Sequence, residues 1–60
     1  MEYTYITAGE AIVAYGNKVV EAAEKEDWDS YRKELLGTLR AVHTALDYYE
    51  YNPPEMKPNE

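Results

Sequence analysis

The sequence predicts an all-α protein: an antiparallel two-helix hairpin with a short extended N-terminal lead and a disordered, proline-containing C-terminal tail, pairing into a four-helix bundle. Three observations lead there. Apolar residues recur at helical spacing in two stretches, about 8–26 and about 28–50. Only a few residues around Glu26 and Asp27 separate them, and so short a connection forces antiparallel neighbours. Finally, the chain has 60 residues and no cysteine. A core of that length rarely supplies more than roughly 3–5 kcal/mol, and with no disulfide or thiolate metal site to add to it, tight helix pairing or self-association is the remaining support.

The lead, Met1 to Ile6, alternates Tyr3 and Tyr5 against Ile6 and reads as a short strand or simply extended chain, running beside Tyr48, Tyr49 and Tyr51 at the open end. Thr7 with Glu10 three residues on has the spacing of a capping box, which predicts Thr7 as the first N-cap. Ala8, Ile12, Tyr15, Gly16, Val19 and Ala23 then form one stripe, opposite Glu10, Asn17, Lys18, Glu21, Glu24 and Lys25. Gly16 on the inner stripe predicts close approach of the second helix, with Leu39 against it.

The second helix starts at Asp27 or Asp29, acidic N-caps that also complement the helix dipole. Its expected inner stripe is heavy: Trp28, Tyr31, Leu35, Leu39, Val42, Leu46 and Tyr49. Asn52, Pro53 and Pro54 stop it, because proline lacks the N–H and restricts the residue before it. The domain is thus residues 1–51, and 52–60 is a flexible tail poor in anything to bury.

Function is constrained mainly by exclusion. Twelve Asp and Glu against six Lys and Arg give a net charge of −6, which argues against direct nucleic-acid or anionic membrane binding and favours a basic protein partner. No apolar run approaches a membrane span and the N-terminus lacks a secretion signal, so the expected location is cytoplasmic. A lone histidine, His43, cannot make a metal site, and no phosphate loop or nucleophile–base pair is present; no metal, no cofactor and no enzyme activity are expected.

Two helices share one interface, and the apolar surface is wider than that. The surplus predicts a homodimer and a protein–protein interaction module, a small regulator, inhibitor or adaptor. Its expected partner contacts are Tyr48, Tyr51, Leu36 and His43, with Glu21, Glu24, Asp47 and Glu50 steering a basic partner. A nucleic-acid mimic that blocks a DNA- or RNA-binding protein, and a structural subunit of a larger assembly, are the alternatives.

Overall fold

The computed structural model describes residues 2–54. Two helices, α1 (Tyr5–Glu24) and α2 (Trp28–Tyr51), pack against each other, with no strand among the described residues. The hairpin expected from the sequence is present. The part of the tail beyond residue 54 lies outside the described residues.

Helix α1 begins three residues earlier than Thr7 predicts. Thr4 is the N-cap: the Thr7 amide donates to Thr4 Oγ1 at 3.1 Å and the Thr4 amide donates to Thr7 Oγ1 at 2.8 Å. This is a capping box with threonine in the place usually held by Glu or Gln, so two free amides are satisfied one turn before the Thr7–Glu10 pair could act. Tyr5 and Ile6 are consequently helical, and the extended lead ends at Thr4.

The turn has defined chemistry. The Glu26 amide donates to the Ala23 carbonyl at 3.0 Å and the Asp27 amide to the Ala22 carbonyl at 2.9 Å, the two bonds of a Schellman ending. Such an ending needs a left-handed residue, and Glu26 supplies it with φ 55°. Asp27 then caps α2, its two carboxylate oxygens accepting from the Ser30 amide at 3.2 Å and the Ser30 hydroxyl at 2.8 Å. These bonds hold the Asp27 carboxyl below its ordinary value, the Ser30 hydroxyl contributing most and Lys25 adding a smaller attraction. At the far end the Asn52 amide closes on the Tyr48 carbonyl at 2.8 Å before Pro53 and Pro54.

The faces that meet differ from those expected. The heavy stripe of α2 does not close onto α1: Leu35, Leu39, Leu46 and Tyr49 are all exposed. The more covered side of α2 is instead Ser30, Tyr31, Glu34, Gly37, Thr38, Ala41, Ala45 and Tyr48. On α1 the covered side contains the buried Ala8 and Ala22 with half-buried Gly9, Ile12, Gly16, Val19 and Ala23. Small groups on α2 let its backbone come close, and the Thr38 hydroxyl on that side donates back to the Glu34 carbonyl at 2.8 Å.

Gly16 is corrected as well. A Cβ built there meets nothing within 4 Å, whereas one built at Gly37 would lie 2.6 Å from Tyr15 Cε1. The glycine that makes room between the helices is thus on α2, and a large residue of α1 lies over it. Heavy still meets light, but with the helices' roles exchanged.

Candidate functional site: an exposed apolar face and a tyrosine end

Helix α1 carries Ile6, Val13 and Val20 at seven-residue spacing, all exposed, with Val13 at 62%. Between them, at intervals of three and four, fall Gly9, Gly16 and Ala23. Helix α2 carries Trp28, Leu35, Leu39, Val42, Leu46 and Tyr49, also exposed, with Trp28 at 57% and Leu39 at 54%. Arg32 is the one charged interruption of that row.

Each row is displaced from its helix's contact line in the direction in which the right-handed helix turns. Because the helices run in opposite directions, equal displacements bring both rows to the same side of the hairpin. The result is one broad apolar face. Its nine large side chains expose on the order of 1,000 Å², well above the roughly 300–600 Å² of a typical monomer's largest apolar patch.

The opposite side is polar. A shallow groove of about 320 Å³ runs there between Tyr15, Lys33, Glu34, Leu36, Gly37 and Arg40. Lys18 and Lys25 line a second depression on that side with Glu21 and Glu34. Lys18 Nζ is 6.0 Å from the Tyr15 ring centre, a favourable position for a cation over an aromatic face.

The expected contact residues separate into groups. Tyr48 does not stand free: its ring is 4.9 Å from Tyr3 and 5.0 Å from Tyr5, edge-on to both, and it is half-buried. Tyr5 also meets Tyr49 and donates its phenol proton to the Asn52 carbonyl, fixing the start of α1 onto the end of α2. Desolvation, then the neighbouring Tyr48 and Tyr49 phenols, push the Tyr5 phenol above its ordinary value.

Tyr51 projects outward, 83% exposed. Leu36 and His43 are exposed on the side of α2 turned away from α1, next to Leu39 at its i−3 and i+4 positions. Asp47 and Glu50 are exposed beyond them, while Glu21 and Glu24 lie on α1 near the turn. Glu21 pairs with Lys25 at 3.4 Å, the only ion pair among the described residues, and the Asp29–Lys33 pair suggested by the same spacing does not close.

Sequence reasoning detected surplus apolar surface but assigned the bulky α2 row to the wrong neighbour. A signal was available: Gly37, Ala41, Ala45 and Tyr48 make an equally regular stripe, and it alone lets the backbones approach. Among the described residues no three His, Asp or Glu side chains gather as a metal site. No helix among the described residues is long and apolar enough to cross a membrane. Comparison with protein-family models, with curated proteins and with solved structures returns no match.

Proposed function

We propose that this chain is a small acidic protein–protein interaction module, a regulator, inhibitor or adaptor of a larger macromolecule, working as a homodimer in which two hairpins form a four-helix bundle. The observation that carries the proposal is the apolar face: a hairpin that leaves Val13, Trp28, Leu39 and Leu46 in water gains most by covering them with protein. The reading requires no chemistry of the chain's own. Tyr51, Leu36 and His43 offer contact area outside that face, and the negative balance steers a basic partner mainly through the rate of encounter.

The nucleic-acid mimic draws less support. Glu21 is already paired to Lys25, and Lys18 and Lys33 interrupt the acidic surface, so no unbroken row of negative charge imitates phosphates.

The test is capture from a cell extract with the full chain, followed by mass spectrometry, run in parallel with Tyr51→Ala/Leu36→Ala and with Glu21→Lys/Glu24→Lys. Proteins retained by the parent, lost with the first variant and reduced with the second support the proposal. Identical recovery from all three would overturn it, while competition by nucleic acid for the same captured protein would transfer support to mimicry.

A further inference from the structure

The geometry points to a specific pairing: two copies meet on their apolar faces with α1 of each lying antiparallel along α2 of the other, so that Gly9, Gly16 and Ala23 form sockets for the second copy's α2 row. This rests on the homodimer reading above and adds its contact surface and register.

The first argument is the glycines. A Cβ at Gly9 or Gly16 meets nothing within 4 Å, so neither serves the contact between α1 and α2. Each nevertheless costs about 1 kcal/mol against alanine inside a 20-residue helix. They are half-buried at the edge of the apolar face, beside the exposed valines, with open space over them that a second protein surface can fill.

The second argument is periodicity. Ile6, Gly9, Val13, Gly16, Val20 and Ala23 alternate large and small at intervals of three and four, which is a coiled-coil seam. From Leu35 to Tyr49 the α2 row follows the same alternation with large residues throughout. Seams of one period can interlock along their whole length.

The third is complementarity of size. Pairing α2 with α2 would set bulk on bulk, and pairing α1 with α1 would leave voids at glycine; only α1 on α2 interdigitates large with small. Tyr15 over Gly37, and Tyr5 against Tyr48 and Tyr49, set the level of the helices within a hairpin. A two-fold axis along the bundle preserves those levels, placing Gly16 near the second copy's Leu35 and Ala23 near its Trp28. The area agrees: a face on the order of 1,000 Å² is what a standard interface, about 800 Å² per partner, requires.

Sedimentation equilibrium of the full chain, with helical circular dichroism on the same samples, tests this with Gly16→Ala, Leu39→Glu and, as a control at an exposed position away from the apolar face, Thr44→Glu. The expected result is a dimer at micromolar concentration that Gly16→Ala weakens by about tenfold or more, as an overpacked methyl does. Leu39→Glu should give a monomer that keeps its helicity, and Thr44→Glu should leave dimerisation unchanged. A parent chain monomeric throughout would overturn this inference while leaving a contact with some other protein on the same face open. A dimer indifferent to both Gly16→Ala and Leu39→Glu would place the interface elsewhere and overturn it too.

The pairing of helices has its own readout. Spin labels at Glu26→Cys, unique in a cysteine-free chain, should lie near each other because both turns fall at the same end. A separation near the ~36 Å length of the 24-residue α2 would mean that α1 lies on α1, and would overturn the socket assignment.

Discussion

Glu26 occupies the left-handed region at φ 55°, a conformation that costs a residue with a Cβ roughly 1–2 kcal/mol and glycine almost nothing. Glu26→Gly should therefore stabilise the hairpin by about 0.5–1 kcal/mol, the strain relieved less the added freedom of the unfolded chain. Urea unfolding at fixed protein concentration measures it, and a loss of stability would show that the glutamate side chain contributes something else. Asp27, one residue on, links the turn to pH. Its carboxyl is held below the ordinary value by Ser30, so the charged form is the one that folding favours. Its contribution is full above the unfolded carboxyl's pKa and is lost as pH falls through the folded one. Asp27→Asn keeps a capping oxygen without a charge, and should show a shallower loss of stability on acidification below about pH 4 than the parent. Tyr5 works in the opposite direction: its raised phenol favours the protonated, donating form, so the bond to the Asn52 carbonyl holds below the ordinary tyrosine value and is lost as pH rises through the folded one. Tyr5→Phe should remove that alkaline component from a stability titration.

At the scale of elements, the packing of Tyr15 over Gly37 can be weighed against helix propensity. Alanine at Gly37 gains about 1 kcal/mol of propensity, but its Cβ would stand 2.6 Å from the Tyr15 ring, which must swing away. In a Tyr15→Ala background Gly37→Ala should thus stabilise by about 1 kcal/mol, whereas in the parent it should give little or nothing; a double-mutant cycle by thermal unfolding reads the difference. Equal gains in both backgrounds would mean that Tyr15 does not pack there. Each helix was legible in the sequence for a local reason: the apolar period, Asp27 as a cap and the Asn52–Pro53–Pro54 stop all act within a few residues. The start of α1 was missed because Thr4 and Thr7 cap each other, a pairing that the usual Ser/Thr-to-Glu/Gln signature does not include.

For the whole molecule, folding energetics turn on how the exposed face is covered. Trp28, Leu39 and Leu46 are each more than half exposed on one side of the hairpin, apolar surface in surplus of what the two helices cover between them. If a second copy covers the surplus, the thermal midpoint should rise with protein concentration, as it does for any folded state held by association. A midpoint constant over a hundredfold dilution, roughly, would separate folding from self-association. Of the candidate contact residues, the exposure of Tyr51, Leu36 and His43 could be read from their offset from the apolar period. The hairpin places Tyr3 and Tyr5 beside the end of α2, but that Tyr48 turns onto them could not be read, because it depends on which side of α2 faces α1. By itself the sequence determined two helices, their antiparallel order and an excess of apolar surface, since period, caps and loop length are properties of the local chain. Tertiary structure alone decided which side of α2 faces α1. Two stripes of that helix satisfy the same period, and the choice between them falls to the lighter one, Gly37, Ala41 and Ala45, because it lets the backbones come near while Leu35, Leu39 and Leu46 remain outside.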